Sequence, residues 1–370
     1  MRLLSVDIPR FRNLADVKLV PGPRSTVLVG ENGQGKTNTL EAIWYSATLK
    51  PLRGTRLAEL VPFDRPLEGA LVRTEWMLPG GPRRYAVRVL AGERQLEIDG
   101  KRAPSLDDYL GATSVVAFTP DDLSLIKGAP DGRRRFLDRA VFGRHPVFLS
   151  ESRDYARALK ARNRLLREGS PEGVREAFDA QLARLGARVW RRRLDLVEEL
   201  APQATRAFEA VGRLAVALSL RYRPAAVALD ARAEETAFEQ VLLEALETRK
   251  RLDAERKFTS VGPHADDLQL LLGEKSARLY GSQGQQRAIV LALKIGEIEN
   301  LRAHRGAYPL LLLDDVSSEL DPERNRFLMA YLRKLDAQVL LTTTDFGLVR
   351  EATGDDVVVM QVRSGAVQPA

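Results

Sequence analysis

Gly30-Glu31-Asn32-Gly33-Gln34-Gly35-Lys36-Thr37 constrains this 370-residue chain more than any other segment. It fits G-x-x-x-x-G-K-[ST] at every fixed position. An apolar run, Thr26–Val29, leads into it, and residues 36–49 carry helical spacing after it. Glycines let a backbone curl until successive N–H groups point inward, where phosphate oxygens can sit. The N-terminus of the following helix adds positive potential. Residues 30–37 therefore read as a cradle for the phosphates of ATP. Lys36 would bridge the β- and γ-phosphates, and the Thr37 hydroxyl would ligate Mg²⁺. The plain alternative is a chance Gly-rich turn, which would not need strand, loop and helix in this order.

A second constraint lies far along the chain. Leu310–Leu313 is an apolar run that ends in Asp314 and Asp315. Buried strands of parallel sheets read this way, and their C-terminal ends face the ligand crevice. Asp314 would hold Mg²⁺, directly or through water. Asp315 would orient or deprotonate an attacking water. A helix cap after a core strand is the bland alternative. Asp321-Pro322 follows, with the pattern of an N-cap and a first-turn proline. The strand expected at 338–343 ends in Thr342-Thr343-Thr344-Asp345, a polar cluster placed to sense a γ-phosphate.

Between these landmarks the pattern changes twice. Residues 1–30 read as two or three strands with a break at Arg12-Asn13. Residues 69–100 alternate as an antiparallel meander, and 114–118 read as a buried strand. From about residue 131 to 210 apolar residues recur at helical spacing, with Gly169-Ser170-Pro171 separating two long helices. A strand at 218–222, a helix over 232–254 and strands at 257–261 and 268–272 follow. The expected organisation is an α/β domain split by a helical insert: 1–125, an insert at 126–256, and 257–370.

Composition excludes several chemistries. There are no cysteines and three histidines, so disulfides, thiol catalysis and His-rich metal sites fall away. No run approaches the roughly 18 apolar residues of a membrane helix. The default is a soluble cytoplasmic protein without a membrane partner. Net charge is +7, but it is uneven: residues 133–193 hold 17 Lys and Arg against 7 Asp and Glu. The rest of the chain is net acidic. Such clustering is the footprint of a polyanion partner or of a solvated Arg-rich helical surface. Arg133, Arg134, Arg135, Arg162 and Arg164 are candidate DNA contacts, with Arg157–Arg167 and Arg188–Arg193 around them.

The segment Tyr280-Gly281-Ser282-Gln283-Gly284-Gln285-Gln286-Arg287 decides among nucleotide-binding classes. Alone it reads as a polar helix cap. Yet Arg287 lies 23 residues before Leu310, with one helix between, and a Ser-Glu-Leu-Asp segment follows the acidic strand end. This order resembles the ABC ATPases: signature, acidic strand, dimer-contacting loop. Phe11-Arg12-Asn13 after the first strand resembles SMC-type heads. Further stretches are similar to the RecF family: GENGQGKTN, Phe118-Thr119-Pro120-Asp121-Asp122-Leu123, Gly128-Ala129-Pro130 with Arg133–Asp138, Gly262-Pro263-His264 and GSQGQQR.

The resemblance spans nearly the whole chain and implies an ABC-type P-loop ATPase head, with a mixed sheet and an antiparallel meander. A helical insert without long coiled coil would interrupt it. Ser282, Gly284 and Gln285 would bind the γ-phosphate held by a second copy, making an ATP-dependent homodimer. The family acts in recombinational repair and replication restart on single- and double-stranded DNA. It works with RecO and RecR to load RecA at gaps and has weak ATPase activity. Three departures stand out, one being that the Gln of a Mg²⁺-sensing loop is not evident near Phe118–Asp122. Asp315 occupies a position where Glu is usual, so slow hydrolysis is expected, and threonines around Thr343 stand where His is common. A transporter nucleotide-binding subunit, a P-loop kinase and a clamp without significant hydrolysis are the alternatives.

Overall fold

The computed structural model describes residues 1–53, 56–63, 66–212, 216–353 and 356–370. In chain order, β1 (Arg2–Phe11), β2 (Leu14–Leu19) and β3 (Ser25–Val29) lead to α1 (Lys36–Thr48). Then come β4 (Ala70–Leu78), β5 (Gly81–Leu90), β6 (Glu93–Ile98), β7 (Lys101–Arg102) and β8 (Val115–Phe118). Helices α2 (Pro130–Arg144), α3 (Phe148–Glu168) and α4 (Glu172–Gly212) precede β9 (Leu218–Arg223). After them lie α5 (Glu235–Thr248), α6 (Lys250–Arg256), β10 (Asp267–Leu272), β11 (Lys275–Ser276) and α7 (Gln283–Arg305). The chain ends with β12 (Leu310–Asp314), α8 (Pro322–Lys334), β13 (Val339–Thr343), β14 (Val357–Arg363) and β15 (Ala366–Pro369). Two compact units result: Met1–Asp122 with Glu297–Ala370, and Leu123–Gly296. The second takes in residues 257–296 together with the expected insert.

The first unit holds two six-stranded sheets. The meander is ordered β2-β1-β4-β5-β6-β7 and is antiparallel. The other sheet is ordered β15-β14-β3-β13-β12-β8, parallel from β14 to β8. Helix α1 packs on strands of both sheets. Its sequence demands this, because Leu40, Ala42, Ile43, Trp44, Tyr45 and Ala47 leave no face for water. Gln338, immediately before β13, ties the layers together. Its side chain accepts from Leu3 N–H at 2.7 Å and donates to the carbonyls of Leu3 and Gly22 at 3.0 and 2.8 Å.

The second unit packs α3 against α4 and α4 against α5, beside the small sheet β11-β10-β9. Two expectations change here. The single helix expected over 232–254 is two, parted at Arg249, whose N–H is shared between the carbonyls of Ala245 and Glu247. Residues 257–261, expected as a strand, form a loop. Side chains take the N–H groups a ladder would need: Thr259 N–H donates to Asn163 at 2.8 Å and Ser260 N–H to Asp253 at 3.0 Å. Alternating hydrophobicity cannot reveal such partners.

That loop is the polar hub of the unit. The buried Arg162 guanidinium pairs with Asp179 at 2.5 Å and Asp253 at 2.8 Å, and donates to the Thr259 hydroxyl at 2.9 Å. His264 lies 2.9 Å from the Thr259 carbonyl through Nε2 and 2.6 Å from the Tyr155 hydroxyl through Nδ1. A carbonyl only accepts, so Nε2 carries the proton and Nδ1 accepts from Tyr155. Burial holds the imidazole below its usual pKa, so the ring stays neutral. Asp266 accepts from Trp190 and from Tyr222, each at 2.6 Å. Removing one partner of a buried ion pair costs about 3–5 kcal/mol, because the others keep uncompensated charge. Arg162→Met is expected to lower unfolding stability by about that amount in denaturant titration.

Candidate functional site

The phosphate loop sits where β3 hands over to α1, at the C-terminal edge of the parallel sheet. Gly33 and Gly35 adopt φ of 82° and 111°, conformations that favour glycine. A Cβ at Gly35 would approach Leu14 within 2.9 Å, and one at Gly30 would meet the Val362 carbonyl at 2.4 Å. The loop is therefore closed on one side by its own fold. Gln34 is a tether as well as a loop residue. Its side-chain oxygen accepts from Ser364 N–H at 2.6 Å and its carbonyl from Gly365 N–H at 2.9 Å. The β14–β15 turn thus holds the loop from below.

Lys36 lies over this cradle. Its ammonium donates to the carbonyls of Gly30 at 2.5 Å and Glu31 at 2.9 Å. Burial pulls its pKa down, against Asp315 and Asp314, which raise it. Thr37 donates from its hydroxyl to Asp314 Oδ1 at 2.7 Å, and Thr342 donates to the same oxygen at 2.9 Å. Asp315 takes the left-handed region at φ 48°, and its N–H donates to the Thr342 hydroxyl at 2.9 Å. Parallel pairing of β12 with β13 sets Asp314 opposite Thr342, which is why these groups meet. Burial raises the Asp314 pKa; the bonds from Thr37 and Thr342 and the charge of Arg53 work the other way.

These residues line one cleft of about 240 Å³: Glu31, Asn32, Gly33, Gly35, Lys36 and Thr37 with Asn38, Arg53, Asp314 and Asp315. Loop, lysine, hydroxyl and both carboxylates thus converge as the spacing suggested. Among the described residues no cluster of three or more His, Cys, Asp or Glu forms a self-sufficient metal cage. The donor set at Thr37 and Asp314 is two hard oxygens, the kind magnesium shares with phosphates and water.

Sequence reasoning missed Arg53. It follows Leu52, whose N–H donates to Glu41 at 3.1 Å, and Glu41 is fully buried under a two-pronged pair with Arg12 at 2.6 and 3.1 Å. The Phe11-Arg12-Asn13 stretch so braces the back of α1. Only the motif resemblance marked Arg12, and no spacing marked Arg53. The threonine cluster also sorts differently. Thr342 bonds the Asp314 carboxylate and the Asp315 N–H, whereas the Thr343 hydroxyl bonds the backbone of Asp345.

Ser282 and Gln285 open α7 with a reciprocal cap. Ser282 N–H donates to the Gln285 side chain at 2.8 Å, and Gln285 N–H to the Ser282 hydroxyl at 3.2 Å. Ser282 is exposed, while Gly284 and Gln285 are half-buried. In the acidic-strand neighbourhood Asp321 caps α8, accepting from Arg324 N–H at 3.1 Å, with Pro322 in the first turn. The side chains of Ser318 and Glu319, part of the expected contact loop, lie outside the described residues.

The candidate polyanion contacts divide. Arg133 and Arg162 are buried and spent on internal partners, Arg133 gripping Asp267 at 2.7 and 2.9 Å. Neither reaches the surface role expected of it. Arg134 is half-buried on the Asp266 carbonyl at 2.7 Å. Arg135 and Arg164 are exposed, each paired along its own helix, with Asp131 and Glu168.

The parallel sheet, phosphate loop and carboxylate strand together define an ABC-type P-loop ATPase head. The RecF/RecN/SMC N terminal domain family matches residues 2–368. The chain belongs to the RecF family within that group. The DNA replication and repair protein RecF of Myxococcus xanthus (strain DK1622) is 56% identical over 370 residues, covering 99% of this chain and 97% of that protein. RecF of Anaeromyxobacter dehalogenans (strain 2CP-C) is 57% identical over 373 residues, covering 100% and 99%. The solved structure of the recombination mediator protein RecF-ATP in the RecFOR pathway has a TM-score of 0.91 at 30% identity, covering 100% of this chain and 97% of that one. An SMC head bound to the C-winged helix domain of ScpA shares the fold at a TM-score of 0.57 and 15% identity, over 100% and 97% of the two chains. No helix among the described residues is long and apolar enough to cross a membrane.

Asp314 carries a testable cost. Below the ordinary value of 3.8 it is protonated in both folded and unfolded chains, and its burial costs little. As pH rises from 3.8 to its raised native pKa, the unfolded chain releases the proton while the folded chain still holds it, so the folded state is progressively penalised. Asp314→Asn is therefore expected to raise the melting temperature at neutral pH. Its advantage should narrow as melting is followed down to about pH 4.

Proposed function

We propose that the chain is an ATP-operated DNA clamp of recombinational repair and replication restart, a switch and not a metabolic enzyme. The observation that carries this reading is the Thr37–Asp314 hydrogen bond at 2.7 Å, which puts both magnesium-type ligands beside the phosphate loop. ATP lies along residues 30–37, with the loop N–H groups and Lys36 on its phosphates. A magnesium ion, when bound at Thr37 and Asp314, neutralises charge on the β- and γ-phosphates. Asp315 orients or deprotonates the attacking water, and its short side chain makes turnover slow.

Two copies close head to head. Ser282, Gly284 and Gln285 of each copy present a helix N-terminus to the γ-phosphate of the other. Ser282 is exposed, which leaves it accessible to a second copy. Closure holds single- or double-stranded DNA through basic side chains, and hydrolysis releases it. RecO and RecR are the expected partners, and loading of RecA at gapped DNA the expected outcome, in the cytoplasm. The kinship with a recombination mediator of the RecFOR pathway supports this placement.

Light scattering after size exclusion tests the split site. The unmodified chain should dimerise with ATP, and Ser282→Arg should stay monomeric while still binding ATP. Lys36→Met should lose ATP affinity by about tenfold to a hundredfold, the size of a charge-assisted hydrogen bond. Dimerisation of Ser282→Arg with ATP would contradict the arrangement in trans.

A further inference from the structure

Helix α3 carries five cations at a repeating interval: Arg153, Arg157, Lys160, Arg164 and Arg167. Steps of four and three residues keep them on one face, within about 80° of arc at 100° per residue. All five are exposed. The opposite face is the buried one, with Tyr155, Ala158, Arg162 and Leu166. So the arginine that the packing consumes, Arg162, points away from the row, and the row itself does no packing.

Three of the five, Arg153, Lys160 and Arg167, have no carboxylate partner among the described residues. Arg157 leans on Asp154 and Arg164 on Glu168, both within the same helix. Exposed pairs of this kind are weak and yield readily to a phosphate. At 1.5 Å per residue the row is about 21 Å long. That equals about six base pairs of duplex DNA, which carries one charge per about 1.7 Å of axis.

We propose that this outward face of α3 is a rigid track for the sugar-phosphate backbone of duplex DNA. The proposal rests on the DNA-clamp reading above and names the surface that reading leaves open. A membrane surface is disfavoured, because an interfacial helix must bury an apolar face in lipid and that of α3 is already buried in protein. A protein partner would be expected to find apolar anchors among the charges, and none of the large exposed hydrophobic side chains lies on this helix. A straight line of charge without such anchors suits a partner that is itself a regular line of opposite charge.

The test uses the full chain with ATP and a duplex of mixed sequence, with affinity measured across a salt series. The variant Arg153→Gln/Lys160→Gln/Arg167→Gln removes only the cations that hold nothing inside the protein, so its melting temperature should not move. Each lost phosphate contact flattens the slope of log affinity against log salt by about 0.9, so the triple variant should lose about 2.7. A control, Arg83→Gln/Arg84→Gln/Arg88→Gln, removes the same charge from three exposed positions of β5 and should leave the slope nearly unchanged. An unchanged slope in the α3 variant, or an equal fall in the control, overturns the track while leaving the clamp standing. Failure of the unmodified chain to bind duplex in any nucleotide state overturns both. Equal loss of binding to anionic phosphatidylserine vesicles and retention of duplex binding would assign the row to lipid and also overturn it.

Discussion

One carboxylate oxygen joins the parts of this head. Asp314 Oδ1 accepts hydrogen bonds from the hydroxyls of Thr37 and Thr342, so the first turn of α1, the end of β12 and the end of β13 meet at a point. The point exists because two parallel ladders fix relative register: β12 on β13, and β13 on β3. A shift of one residue would turn Asp314 out of the cleft and send Leu313 into it. Burial of the carboxylate disfavours its charged form, a cost of the kind that functional sites carry.

The second unit is organised by a different constraint. Its charge is arranged in two populations with opposite fates. Arg162, Arg193 and Arg133 face inward and hold the loop 259–267 through Asp253, Asp138, Asp267 and backbone carbonyls. The cations in the row on α3 face water. The hub keeps the loop rigid where alternation alone would have drawn it as a strand, and it leaves the outward charges free of structural duty.

Much of the head was legible in the sequence because its signals are local. The phosphate loop is a contiguous pattern, the apolar run before Asp314 can only be a buried strand, and the meander alternates cleanly between its turns. Helix α1 could be read from spacing, and the Asp321 cap from its proline. What was hidden depends on partners distant in sequence. Arg53 enters the cleft through a chain of contacts from Arg12 to Glu41 to Leu52, none of which has a spacing rule. Arg133 and Arg162 looked like surface charge because charge density does not reveal burial. Lys257–Val261 looked like a strand because alternation does not reveal that Asn163 and Asp253 take its N–H groups.

The central claim is that Thr37 and Asp314 act as one ligand pair for the metal of a bound nucleotide. A double-mutant cycle on ATP affinity, with Thr37→Val, Asp314→Asn and the combination, measures this directly in magnesium and again in a chelator. The account predicts a coupling of about 1–3 kcal/mol in magnesium that collapses when the metal is removed. A coupling of equal size under both conditions would contradict it, because the two side chains would then be joined only to each other.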